Sequence, residues 1–265
     1  RWFGFAGFYI QPSEFAKLTL ILILASILDR RRFTDLTHLI KPLLVSILPW
    51  VLVFIQPDLG TSLVFGAILL GMLYWSGMPY EWAFIILATL VTGLLANLYQ
   101  FGLVLWIPII GFLSYKSLPN QKKILTLFIV FIHSLLATIS PWFWETVLRD
   151  YQRDRLILFL NPNRDPLGGG YHMLQSKIGI GSGGLLGSGL MQGQLTKLKF
   201  IPEQHTDFIF SALGEETGFL GTLLVLILFF ILIFRLIKIA IDARTDFESL
   251  IVIGIASMFI FQIMV

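Results

Sequence analysis

A chain of 265 residues that is 56% hydrophobic and only 13% charged is composed for lipid and not for water, since its apolar residues come in runs near the ~20 that a bilayer-spanning helix needs. The absence of cysteine excludes disulfide scaffolds, thiol nucleophiles and Cys-ligated metals. A net charge of +3 fits cytoplasmic anchoring of a membrane protein and gives no support to nucleic-acid binding.

Eight apolar segments are predicted as helices, at roughly 13–28, 37–55, 60–76, 81–98, 101–115, 124–144, 207–237 and 249–265. The sequence opens on Arg1-Trp2-Phe3 and stops inside the apolar run ending at Val265, so a piece of a longer protein is expected. Ahead of the first segment, Gln11-Pro12-Ser13-Glu14 leads to Lys17; Pro12 suits a first helical turn, and Glu14 and Lys17 share a face at i, i+3. Between the second and third segments, Gln56-Pro57-Asp58-Leu59-Gly60-Thr61-Ser62 reads as a break in which Asp58 caps the next helix. The short fifth segment is either a crossing or a re-entrant or interfacial element. His133 falls mid-membrane and is expected to bond a neighbouring helix. With His38, His172 and His205 it forms no metal set.

Charge sets the expected orientation. Arg30-Arg31-Arg32 and Lys41 follow the first segment, Lys116, Lys122 and Lys123 the fifth, and Arg235, Lys238 and Arg244 the seventh. With eight crossings these clusters share one side, which the positive-inside rule makes cytoplasmic. The long connection 145–206 then faces outward although it carries Arg149, Arg153, Arg155, Arg164, Lys177, Lys197 and Lys199. Either these cations are balanced by Glu145, Asp150, Asp154, Asp165 and Glu203, or they form a site for an anionic substrate. Within the loop, the glycine-dense run from Lys177 to Gly189 lacks the Gly-Lys-Ser/Thr ending of a nucleotide phosphate loop. Tyr171, Met173, Leu174, Ile178 and Ile180 suggest an amphipathic element packed on the membrane surface.

Asp207 stands at the mouth of the seventh segment and is expected in its first turn. The helix dipole alone would favour an acid there, while Glu203, His205 and the basic loop make it a candidate general base. Eight residues on, Glu215 sits about 12 Å further along and near the same face, with Glu216 opposite. Intramembrane carboxylates are candidates for function, with a structural ion pair as the alternative, and Lys17 is a plausible partner. Gly214, Gly218 and Gly221 would let another helix approach closely. The expected architecture is all-α: a polytopic transmembrane helix bundle forming a single membrane domain over 1–265, with one large extracytoplasmic loop at 145–206.

Four blocks together resemble the SEDS (shape, elongation, division and sporulation) family: Gln11 to Lys17, Gln56 to Ser62, Tyr151 to Gly189 and Pro202 to Gly221. The run Asp165-Pro166-Leu167-Gly168 through Tyr171-His172 and Gln175-Ser176-Lys177 to Gly184, followed by His205-Thr206-Asp207-Phe208-Ile209-Phe210 and Gly214-Glu215-Glu216, is the most specific part. Ser13 and Ser182-Gly183-Gly184 look like its RodA branch more than its division-specific branch. The resemblance covers the chain in order apart from about 101–140, where two apolar segments stand in place of one.

The resemblance implies a multi-pass protein of the bacterial cytoplasmic membrane. Its activity would be that of a peptidoglycan glycosyltransferase, polymerising lipid II into glycan strands at the outer face beside a class B penicillin-binding transpeptidase. It places the catalytic aspartate at Asp207. Substrate binding would fall to Arg153, Arg155, Lys177, Gln175, Ser176, His205 and Glu203, and cavity support to Glu14, Lys17, Asp58, Glu215 and Glu216. A divalent cation, magnesium or manganese, would assist the leaving diphosphate. Lys199 departs from the family's usual glutamate, and the family's first three helices and last helix, with its Pro-x-x-Ser-Tyr-Gly-Gly motif, are not in this sequence. A lipid II flippase, or a non-catalytic scaffold for cell-wall enzymes, is the alternative.

Overall fold

The structure, a computed structural model, describes residues 3–5, 8–29, 37–56, 59–118, 122–148, 152–154, 157–158, 165, 170–198, 200 and 208–264. All eight expected segments are helical: α1 (Pro12–Leu28), α2 (Thr37–Ile55), α3 (Leu59–Trp75), α4 (Tyr80–Leu98), α5 (Leu103–Ser117), α6 (Lys122–Thr146), α9 (Ile209–Ile241) and α10 (Asp246–Met264). Between α6 and α9 come α7 (Tyr171–Ser182) and the one-turn α8 (Gln194–Lys197). A small antiparallel ribbon precedes the helices, β1 (Phe3–Phe5) on β2 (Phe8–Ile10), with Gly4 opposite Tyr9. Among the described residues five helices are long and apolar enough to cross a membrane, α2, α4, α6, α9 and α10, and α3 is a shorter apolar one. This is a multi-pass membrane protein.

The chain divides into two compact units, Arg1–Trp144 with Ile233–Val265, and Glu145–Leu232. In the first, α3 is apolar on all sides, which is the pattern of a helix surrounded by protein. It packs against α1, α2 and α10. Phe65, Ile68, Met72 and Leu73 from α3 are buried with Leu20, Ile21, Leu24 and Leu28 from α1. Without a hydrophobic drive between helices in lipid, small residues and polar contacts must hold such a bundle. Gly71 lies against Ser257 and Gly254 against Ile21, while Trp75 Nε1 donates to Ser249 Oγ at 2.8 Å.

The helices α4, α5 and α6 are tied by polar rungs. Thr92 Oγ1 donates to Ala88 C=O at 2.8 Å and accepts from Trp106 Nε1 at 3.0 Å, so the 2.7 Å contact to His133 Nδ1 is one in which the imidazole donates. Two turns further on, Asn97 Nδ2 donates to Ser140 Oγ and to Gly93 C=O, both at 2.7 Å. His133 thus bonds a neighbouring helix, as its mid-segment position suggested.

In the second unit α7 packs on protein through its small residues. Ser176 and Gly179 are its buried residues near the middle, while Ile178 and Ile180 are exposed. Close approach to α9 selects small side chains: Ser176 Oγ bonds Ser211 Oγ, and Gly183 and Gly214 face each other, with Ile180 against Gly214.

Candidate functional site

Among the described residues of the first unit one charged side chain is buried. Lys17 is buried on α1, and its Nζ meets Glu14 Oε2 at 2.8 Å one turn away, the pairing that i, i+3 spacing allows. The pair lines a cavity of about 170 Å³ with Gly60, Thr61, Val64, Phe261 and Gln262. That volume suits several waters or a small polar group. Ser13 Oγ is buried nearby in sequence without a hydrogen-bond partner among the described residues. The ammonium needs its carboxylate because an unpaired buried charge is costly. Glu14, half-exposed, leaves the cavity end of the pair open.

The second unit is organised around a break in α9. Gly218 has φ 67° and ψ −164°, a conformation that only glycine adopts readily. The break removes the helical bonds that Phe219 and Leu220 N–H would make to Glu215 and Glu216 C=O. All four groups are re-paired by the glycine-rich loop. Phe219 N–H donates to Gly184 C=O at 2.9 Å and Leu220 N–H to Leu185 C=O at 3.2 Å, while Ser188 and Gly189 N–H donate to Glu215 and Glu216 C=O at 3.0 Å each. Ser188 Oγ adds a bond to Glu215 C=O at 2.9 Å. A Cβ on Gly187 would fall onto the Glu216 carbonyl, so the loop must be this bare to reach the helix backbone.

The side chain of Glu215 completes the arrangement. It is buried, and its carboxylate accepts from Leu195 N–H (2.8 Å), Thr196 N–H (2.9 Å) and Thr196 Oγ1–H (2.5 Å). It therefore fixes the start of α8, where unsatisfied amides favour an acid. Lys17 and Glu215, expected as partners, each have partners within their own unit: Glu14 for one, residues 195–196 for the other.

The structure places the other expected residues unevenly. Ser176 is buried on Ser211, Gln175 is half-buried, Lys177 is exposed, and Arg153 is half-buried with a bonded or charged neighbour. Glu216 is half-buried, its backbone carbonyl engaged by Gly189. Asp207, Glu203, His205, Arg155 and Asp58 lie outside the described residues. The described part of this helix begins at Ile209. Two glycine expectations are corrected. Gly218 breaks the helix and admits the glycine-rich loop at Leu185 and Gly187 instead of another helix, and Gly221 faces Thr217 of its own helix; Gly214 meets Ile180 of α7. Among the described residues no three His, Cys, Asp or Glu side chains converge as metal ligands.

Several apolar helices of membrane-spanning length and, in the second unit, a broken helix re-paired by irregular backbone define a multi-pass membrane protein, because such backbone survives near a bilayer only when protein satisfies it. The chain belongs to the FtsW/RodA/SpoVE family, whose model, described as a cell cycle protein, matches residues 1–107 and 120–265. It is 35% identical to the peptidoglycan glycosyltransferase RodA of Treponema pallidum, over all of this chain and 67% of that protein. It is 35% identical to the peptidoglycan glycosyltransferase MrdB of Escherichia coli K12, over 93% of this chain and 55% of that one. The stage V sporulation protein E of Bacillus subtilis is 33% identical, with 100% and 60% covered. The fold matches a chain of a peptidoglycan synthase complex studied for how it coordinates polymerization and crosslinking, with TM-score 0.64 and 26% identity, covering all of this chain and 60% of that one. The chain thus spans little more than half to two thirds of the length of these relatives. The unmatched residues 108–119 fall in α5 and the connection after it, inside the stretch where the sequence departs from the family's pattern.

Proposed function

We propose that the whole protein is a peptidoglycan glycosyltransferase that polymerises lipid II at the outer face of the bacterial cytoplasmic membrane, in cell elongation and shape maintenance. The observation carrying this is the likeness, across nearly the whole chain, to proteins named peptidoglycan glycosyltransferase. In this reading Asp207 takes the proton from the 4-hydroxyl of the acceptor N-acetylglucosamine. The freed oxygen bonds to the anomeric carbon of the N-acetylmuramic acid at the end of the growing strand. The bond from that carbon to the diphosphate oxygen breaks, and undecaprenyl diphosphate leaves with the electron pair. Arg153, Arg155 and Lys177 supply positive charge toward the diphosphate. The divalent cation suggested by the resemblance finds no cluster of three ligands among the described residues, and no step here is routed through it. Glu215 holds α8, which ends ten residues before Asp207 in the chain. A class B penicillin-binding transpeptidase is the partner, consistent with the synthase complex that the fold resembles.

The test is the intact protein in lipid vesicles with lipid II, alone and with the transpeptidase. Glycan chains are expected, and Asp207→Ala and Asp207→Asn should each lower their rate by about 100-fold or more, the scale of a lost general base. Wild-type rates in both variants would remove Asp207 from the chemistry. Movement of lipid II across the bilayer without polymer would make the protein a flippase.

A further inference from the structure

The loop that mends the α9 break also carries an apolar surface turned away from protein. From Gly183 to Gly193 the sequence has no charged side chain. Leu185, Leu186, Leu190 and Met191 are 71%, 78%, 75% and 81% exposed. Met191 holds φ at 57°, an unfavourable value for its side chain, so the turn is shaped against local preference.

The depth of this loop follows from α9. Twenty residues separate Gly218 from Lys238, which at 1.5 Å each is about 30 Å, the thickness of the hydrocarbon layer. Arg235 and Lys238 mark one boundary, since cations at helix ends extend to the headgroups. Gly218 therefore marks the other. The loop backbone is bonded to residues 215, 216, 219 and 220, on either side of that level. Four exposed apolar side chains thus lie where headgroups give way to acyl chains, on a backbone whose bonds to α9 fix its depth.

We propose that residues 185–191 form an interfacial anchor, with Leu185, Leu186, Leu190 and Met191 immersed in the leaflet opposite the Arg235–Lys238 end of α9. The occupant is bilayer lipid: an uncharged apolar loop at that depth meets acyl chains, as interfacial apolar faces do. The anchor would hold the glycine-rich loop and the α8 turn against the membrane, and it is independent of the reaction assigned above.

The chain has no cysteine, so single thiols can be introduced cleanly. Leu186→Cys and Met191→Cys, each carrying a nitroxide in the intact protein reconstituted in phosphatidylcholine–phosphatidylglycerol bilayers, would be compared with Lys197→Cys as the water reference and Leu228→Cys as the lipid reference. At 186 and 191, collision with oxygen should exceed collision with a water-soluble nickel chelate several-fold, and the order should reverse at 197. Nickel-dominated collision at both loop positions would place the loop in water. Weak collision with both reagents would mean that protein covers it. Either result overturns the anchor. A normal Leu228 signal shows that the bilayer preparation itself is sound, and two separate loop positions guard against one label disturbing the fold.

Discussion

Lys17 is the residue on which the first unit's polar interior depends. It is buried, it pairs with Glu14 at 2.8 Å, and the surrounding helices are apolar. Glu14→Gln would leave the ammonium buried without its counter-charge, and should destabilise the protein by roughly 3 kcal/mol, the low end for a broken buried pair because Glu14 itself is half-exposed to the cavity. Adding Lys17→Met removes the stranded charge and should recover most of the loss, since an apolar replacement of a buried pair is often neutral or better. Thermal unfolding in detergent of the two single variants and the double variant gives the coupling. Additive losses would mean that Lys17 has another partner of equal weight. The pair itself was legible in the sequence because i, i+3 geometry is local. The destination of Glu215 was not, since its donors lie 19 and 20 residues earlier and belong to a one-turn helix with no apolar period.

The broken α9 is the element whose conformation depends most on one residue. Gly218→Ala would put a side chain at φ 67°, ψ −164° and its Cβ against the Leu185 carbonyl and Gly187 amide. The backbone term alone is about 1–3 kcal/mol. Either the helix straightens and forfeits the loop, or the loop lifts away. Both outcomes predict faster hydrogen exchange at Ser188 and Gly189, with a lower melting temperature; exchange unchanged from wild type would show that the loop is held by something other than these backbone bonds. The helices were readable to within a few residues because bilayer-length apolar runs have little choice of structure in lipid. The break was not readable. Gly214, Gly218 and Gly221 have the same small-residue spacing whether they admit a neighbour or interrupt the helix. What decides is a loop some thirty residues away that can take over the freed backbone groups. On α7, small residues at 176, 179 and 183 govern the packing against α9, a face that its Tyr, Met, Leu and Ile residues did not announce.

At the scale of the molecule the parity of crossings decides which loops share a side, and α5 decides the parity. Its 15 residues rise only about 22 Å, short of the hydrocarbon thickness. Two features offset the deficit. The 3₁₀ turn Gln100–Gly102 extends the apolar path at one end, and Lys116 at the other has a long side chain that can reach headgroups; a locally thinned bilayer takes up the rest at a fraction of a kcal/mol per Å. A crossing α5 also keeps Lys116, Lys123, Arg235 and Arg244 on the same side as Lys41, where the charge rule wants them, whereas a re-entrant α5 would move all four to the opposite side. Single thiols at Gln100, Lys116, Lys197 and Arg244, reacted from each side of sealed vesicles with a membrane-impermeant maleimide, test this directly. Gln100→Cys and Lys197→Cys should label from one side, Lys116→Cys and Arg244→Cys from the other. If Gln100 and Lys116 label from the same side, α5 re-enters. The count then falls to seven, and Lys197 moves to the side opposite Gln100, taking with it the cations proposed to meet the diphosphate.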